Sequence, residues 1–291
     1  MPTHDKNWGN RIFDGVNYLL LTIIALVTII PFIYVLAVSF TAPHIVAQGG
    51  FILWPKEFSI SAYTYIFSTN TLMRALGVSI YVTVIGTLIN LIFTSLLAYP
   101  LSRPQLKGRQ IMLMAVLFTM LFSGGLIPTY YVVKAMGLIN TLWSLMIPTA
   151  ISAFNLIVLK NFFQQIPDGL EDSAKIDGCN DVGVLFRIVL PLSMPAMATF
   201  GLFYAVDHWN KYFNAVMYIN DNVKWPVQVL LREIVINANS RVGDTSIEET
   251  EIQPLTIKMA VIVFATLPIL LVYPFLQKHF AKGVMLGSVK G

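Results

Sequence analysis

The sequence predicts an all-α membrane protein with six transmembrane helices, and two observations carry that prediction. Of its 291 residues, 56% are hydrophobic and only 12% are charged, half the charged share usual in a soluble domain, and the mean hydropathy is +0.70. A water-soluble fold of this length could not hide so much apolar surface, whereas a bilayer accepts it. The apolar residues also fall into six charge-free runs, each near the roughly 20 residues that a helix needs to cross about 30 Å of hydrocarbon. Inside lipid the backbone must satisfy its own hydrogen bonds, so the runs are read as helices.

The runs are Val16 to Phe40, Ala75 to Leu101, Ile111 to Val133, Leu138 to Leu159, Ile188 to Val206 and Met259 to Leu276, with the fifth extending through a polar stretch to Tyr218. The first has only Lys6 and Arg11 as a basic flank. It is also much longer than the apolar centre of a cleaved signal, about 7–15 residues, so it reads as a permanent helix. In the third, Gly124-Gly125 with Pro128 is expected to break the helix locally. Together the runs make one transmembrane domain over residues 1–291.

Orientation follows from Lys and Arg near the helix ends. With both termini in the cytoplasm, eleven basic residues lie inside and seven outside, and Lys211 falls in the fifth span. The loop between spans two and three is the clearest case, with Arg103, Lys107 and Arg109 and no acid. Two outer segments remain, Thr41 to Arg74 and about Ile219 to Lys258, the second acidic at Asp244, Glu248, Glu249 and Glu251. Neither is long enough for a catalytic domain. The net charge of +4 is dispersed around apolar runs and does not signal nucleic acid, and the lone Cys179 excludes an internal disulfide framework. The histidines His4, His44, His208 and His279 share no metal-ligand spacing, so no metal or cofactor site is expected.

The longest inner loop, residues 165–191, lies between spans four and five. Pro167 and Asp168 suit a helix start; Leu170, Ala174, Ile176 and Asp177 fit a short amphipathic helix, and Gly178 suits its stop. A second short helix carries Val184, Leu185 and Ile188 toward Pro191. This loop resembles the signature loop of ABC importer permeases: Glu-Ala-Ala, three residues, Gly, nine residues, Ile, one residue, Leu-Pro. Asp172, Ser173 and Ala174 take the first three places, then Gly178, Ile188, Leu190 and Pro191 follow at every required spacing. Asp172 replaces Glu on a shorter arm, and Ser173 replaces Ala at similar size. The resemblance implies that these seven residues couple the permease to an ATPase in the cytoplasm. The simpler alternative is an ordinary amphipathic helix lying on the membrane surface.

Other stretches are similar to carbohydrate importers related to the smaller subunit of the maltose permease. They are FILWPKEFSISAYTYIF at Phe51 to Phe67, His208-Trp209-Asn210, and the tail Phe275 to Gly291 ending in GVMLGSVKG. Trp225-Pro-Val-Gln-Val-Leu-Leu-Arg-Glu-Ile looks like the branch that imports polysaccharide fragments, including uronic-acid oligosaccharides. The family resemblance implies a bacterial cytoplasmic-membrane location and a type I importer fold. Its implied partners are a second, different permease, two ATPase subunits that bind ATP and Mg, an extracytoplasmic binding protein and an oligosaccharide cargo. The chain has no phosphate-binding glycine loop with Lys-Ser/Thr, so ATP is expected on the partners and no catalysis in this chain.

Polar residues inside a span face a cavity or another helix. Asp207, Asn210, Lys211 and Asn214 fall at i, i+3, i+4 and i+7, one face of a continuous helix, with Asp207 and Lys211 spaced for an ion pair. Asn suits sugar hydroxyls and Lys suits carboxylates, while Tyr130, Tyr131 and Trp209 offer stacking surfaces. Equally, the polar face could hold helices together or line an outer gate. Asn90 and Asn155 are expected to join helices. Three rival functions stay open: an importer permease for another polar solute, an ion-coupled secondary transporter, which would show an inverted repeat, and a membrane enzyme, which would show clustered His or carboxylates.

Overall fold

The computed structural model describes residues 8–68, 70–240 and 254–288. Outside them lie His4, Lys6, Arg241, Lys290 and the acidic stretch Asp244 to Glu251; the side chains of the tail from Phe275 onward are also not described. Among the described residues everything regular is helical, apart from one isolated antiparallel bridge, Thr41 to Phe58.

Six apolar runs appear, but only three are unbroken helices. These are α1 (Trp8–Ser39), α4 (Asn70–Ser102) and α14 (Pro254–Ser288). The last is longer than the expected run at both ends. Its apolar, span-length part is Leu255–Val272.

The other three runs are bent pairs: the break expected at Gly124-Gly125 is present in the third, whereas continuous helices were the wrong expectation for the fourth and fifth. The third run is α5 (Arg109–Leu121) and α6 (Leu126–Ala135), bent by 119°. Phe122 turns extended, and Gly125 adopts φ 82°, which suits glycine alone at low cost. The fourth begins as two 3₁₀ turns, Leu142–Leu145 and Ile147–Thr149, and becomes α7 only at Ala153–Phe163, after a 52° bend. Pro148 supplies no N–H to an α-helix there, and the Ser152 hydroxyl caps α7 by accepting from the Asn155 N–H at 3.4 Å. The fifth run bends by 86° between Leu192 and Met194, where α11 (Met194–Trp209) starts. It breaks again before α12 (Phe213–Tyr218).

Two compact units emerge, one formed by residues up to Asn70 with Glu233–Thr266, the other by Thr71–Arg232 with Leu267–Gly291. In the first unit none of the apolar window of α1 is buried. Past its end the chain folds back on itself with α2 (Pro43–Ala47) and α3 (Ser61–Ser68). Phe40 stacks on Phe58 and Tyr63 at 5.3 and 4.8 Å, and the Ser39 and Tyr63 hydroxyls meet at 2.9 Å.

The second unit has two buried clusters. One gathers Ala98, Tyr99, Leu101, Leu159, Phe163 and Val189 near the Ser102 end of α4. The other gathers Val82, Val133, Leu145, Met146, Tyr218 and Ile219. Asn140 clips the second one together: at φ 61° it donates its N–H to Tyr218 O at 2.7 Å, and its Oδ1 accepts from the Asp221 N–H at 3.0 Å.

Candidate functional site

The 165–191 loop folds as α8 (Asp168–Ile176), α9 (Asp181–Val184), a π turn over Leu185–Val189 and the short α10 (Leu190–Leu192). Pro167 stands at the N-cap of α8. At the other end Gly178 takes φ 85°, the Cys179 N–H donates to Ala174 O at 2.9 Å, and the Gly178 N–H donates to Lys175 O at 3.0 Å. Those paired bonds are a Schellman stop, which needs a left-handed residue at Gly178. A Cβ there would meet nothing within 4 Å, so glycine is required by conformation and not by space. Asn180 caps α9 by accepting from the Gly183 N–H at 2.7 Å. Pro191 cannot donate to Arg187 O, and the widened turn at Leu185–Val189 accommodates that missing bond. Ile188 and Leu190 are half-buried, with the Pro191 side chain exposed.

The small residues of the loop divide their roles. Ala174 points inward, 6% exposed, into the cluster around Phe163 and Val189. Ser173 points outward and bonds its hydroxyl to Gly169 O at 2.7 Å. Asp172 is exposed and lines a cleft of about 690 Å³ with Tyr99, Arg103, Gln105, Lys175 and Asp181. The carboxylate that turns inward is Glu171, 5% exposed, ion-paired to Arg103 and accepting from the Tyr99 hydroxyl at 3.3 Å. The outer surface of α8 leaves two large apolar side chains uncovered, Leu170 at 46% and Ile176 at 86% exposure.

The polar stretch of the fifth run has a different geometry. Because the helix stops at Trp209, Asn214 does not continue the face of Asp207, Asn210 and Lys211. Asn210 takes part in that stop, its side chain donating to Val206 O at 2.9 Å while the Tyr212 N–H turns to Asn210 O. Lys211 is buried. Its Nζ donates to Leu145 O at 2.9 Å and to Thr149 Oγ1 at 2.5 Å, lies 3.1 Å from His208 Nδ1, and pairs with Asp207 at 3.3 Å. His208 Nε2 lies 2.7 Å from Asn90 Oδ1, and the Asn90 amide donates to Thr149 O at 2.7 Å. That directionality places the His208 proton on Nε2 and leaves Nδ1 to accept from Lys211. The cluster joins α4, the 3₁₀ turns and α11. Gly86 makes it possible, because a Cβ there would stand 2.5 Å from the His208 ring.

Of the residues proposed for stacking, Trp209 is 5% exposed and lines an apolar recess of about 390 Å³ with Ile80, Thr83, Leu202, Pro268 and Leu271. Tyr130 is half-buried and stacks on Tyr218 at 6.2 Å. Tyr131 is 63% exposed. Asp207, Asn210 and Tyr131 therefore present accessible surface, Asn214 presents part of its own, and Lys211, Trp209 and most of Tyr130 do not.

Residues 92–286 match the family described as binding-protein-dependent transport system inner membrane component. The chain belongs to that family. Over 284 residues this permease is 58% identical to the polygalacturonan/rhamnogalacturonan transport system permease protein YtcP of Bacillus subtilis, covering 97% of this chain and 99% of that one. It is 54% identical to Protein LplC of the same organism over 289 residues, 99% of this chain and 98% of that one. Among solved structures it superposes, with a TM-score of 0.89 and 32% identity, on a chain of a bacterial ABC transporter involved in the import of the acidic polysaccharide alginate. The match covers 96% of this permease and all of that chain. The fold is that of a type I ABC importer permease.

Sequence reasoning missed Glu171, Arg103 and Tyr99, and it read His208 only as a lone histidine. Two spacings carried a signal. Glu171 and Ala174 are i, i+3 on α8, so the inward turn of Ala174 takes Glu171 with it. Gly86 and Asn90 are i, i+4 on α4, which sets a gap beside a polar group on one face. Neither spacing names its partner, because Arg103 is 68 residues away and His208 is 118 residues away.

Proposed function

We propose that this chain is the membrane-spanning permease subunit of an ATP-driven importer of oligosaccharides, and that acidic polysaccharide fragments are its cargo class. The observation that carries the coupling part is α8: a short helix, stopped sharply at Gly178, that leaves Ile176 and Leu170 uncovered beside the exposed Asp172 and Ser173. Exposed apolar side chains on an otherwise polar helix mark a protein contact. An ATPase subunit is the partner that fits, with ATP and Mg bound there and both termini of the permease on the same, cytoplasmic side. A second permease and an extracytoplasmic binding protein complete the assembly in the bacterial cytoplasmic membrane. The cargo class is supported by relatives named for polygalacturonan/rhamnogalacturonan transport and alginate import.

Within this subunit, the exposure of Asp207, Asn210 and Tyr131, and the partial exposure of Asn214, supports them as the candidates to border a path. Lys211 is committed to protein oxygens and does not offer its charge to a cargo carboxylate. Selection of acidic sugars then rests with the binding protein or the second permease.

Reconstitution with the ATPase and the binding protein tests both parts. Ile176→Asp and Gly178→Arg are expected to abolish cargo-stimulated ATP hydrolysis while the permease stays in the membrane. Normal stimulation in both variants overturns the coupling assignment. Calorimetry of the binding protein against galacturonate oligomers and neutral oligomers of equal length tests the cargo. Preference for the neutral set overturns the acidic class.

A further inference from the structure

We propose that Arg103 is a positioning residue which, through Glu171, ties the docking helix α8 to the end of α4, so that movement of α8 moves α4 with it. The proposal rests on α8 being the ATPase contact. With nine residues, α8 is too short to be a stable helix alone, and among its described side chains only Glu171 and Ala174 are buried. Ala174 enters the buried cluster, while Leu170 and Ile176 do not. The Lys175–Asp181 pair at 2.9 Å is exposed on both sides, and exposed pairs contribute little.

Against that background stands one buried pair. The Glu171 side chain is 6% exposed and that of Arg103 is 17% exposed. A carboxylate so far removed from water is tolerable only when paired and hydrogen-bonded, and here it has both Arg103 and the Tyr99 hydroxyl. The Arg103 guanidinium also lies 4.9 Å from the centroid of the Tyr99 ring, so one ring and one cation brace each other and grip one carboxylate. Tyr99 belongs to α4, and Arg103 directly follows its last residue, Ser102. Arg109 fastens the same end by donating its Nε–H to Leu101 O at 2.8 Å. Along the same rod, Asn90 and Gly86 hold His208; Asn90 is about 14 Å from Tyr99 at 1.5 Å per residue. A helix transmits displacement over that distance as a rigid body, so the pair completes a continuous contact chain from α8 to the cluster joining α4 and α11.

The test places a photocrosslinking amino acid at the exposed Asp177 of the permease, in the complete complex with its ATPase and binding protein, and compares Arg103→Gln with Arg103→Lys. In the otherwise native complex the ATPase crosslinks, and without that crosslink the docking reading fails by itself. In Arg103→Gln the crosslink and basal hydrolysis are expected to persist while cargo-stimulated hydrolysis and uptake fall about tenfold, the scale of a typical coupling energy. Arg103→Lys, which keeps a cation near Glu171, is expected to fall between native and Gln. Native-level stimulation in Arg103→Gln overturns the proposal with docking intact. Loss of the crosslink in Arg103→Gln reduces the pair to folding the loop and overturns it too. Arg103→Lys as uncoupled as Arg103→Gln removes the role of the charge.

Discussion

The 165–191 loop and the polar stretch Asp207 to Asn214 sit at opposite ends of α11 and were read from the sequence by different logic. The loop was read as a spacing of special residues: a proline start, a glycine stop, a distant Leu-Pro. Each of these acts within a few residues of itself, so the chain realises them locally, as the Schellman bonds at Gly178 and the Asn180 cap show. The polar stretch was read as a periodicity, which holds only while the helix continues. Three of its polar side chains, Asp207, Asn210 and Asn214, are of the types that can bond nearby backbone and so are themselves a reason for it not to continue. Asn210 does this at Val206 O, and the face dissolves one residue before Lys211 turns inward.

The largest effect that would break this contrast is expected at Lys211. Lys211→Gln should destabilise the permease by about 1–3 kcal/mol by leaving buried acceptors short of a donor, and should reduce uptake of neutral and acidic cargo equally. A detergent melting curve and paired uptake assays check it. Loss confined to acidic cargo would return Lys211 to the path.

Close behind should come Gly86→Ala, which forces the His208 ring to move. Overpacking of this kind costs about 1–3 kcal/mol, read as a lowered Tm. Gly77→Ala on the same helix is the control, since its Cβ meets nothing within 4 Å, and it should be neutral or slightly stabilising. Equal Tm values for the two variants would mean that the His208 contact is not tight.

Gly178→Ala should cost about 1 kcal/mol through its left-handed backbone alone, with Gly178→Asn milder. A local rise in amide exchange over α8 is the readout. A larger loss for Asn than for Ala would replace the conformational account with a steric one.

The smallest effect belongs to Asn210→Ala, which should leave stability within about 0.5 kcal/mol. If the side chain touches sugar, uptake slows by the worth of one hydrogen bond, about 0.5–1.5 kcal/mol. Unchanged uptake would take Asn210 out of the path.

Much of the fold was legible because hydropathy is a property of composition. Six runs were visible, and so was the weak point at Gly124-Gly125. What the runs could not show was that the fourth and fifth are bent as well, since an apolar window reads the same for one helix as for two. Pro148, Pro191 and Pro195 stand at those two bends, but a proline is also tolerated inside a continuous membrane helix and so does not by itself mark a bend. The docking residues were legible individually, though not their facing. Asp172 and Glu171 are adjacent acids, and only packing decides which of them turns toward Arg103.

The bend at Phe122 to Gly125 also bears on how the chain is made. α5 has 13 residues and α6 has 10, about 20 and 15 Å of helix, each well short of the hydrocarbon thickness of about 30 Å. Neither can leave the insertion machinery as an autonomous span. α7 packs on α5, so this pair gains that helical neighbour only once α7 has been synthesised. Insertion of α5 is therefore expected to depend on α7 as well as on α6.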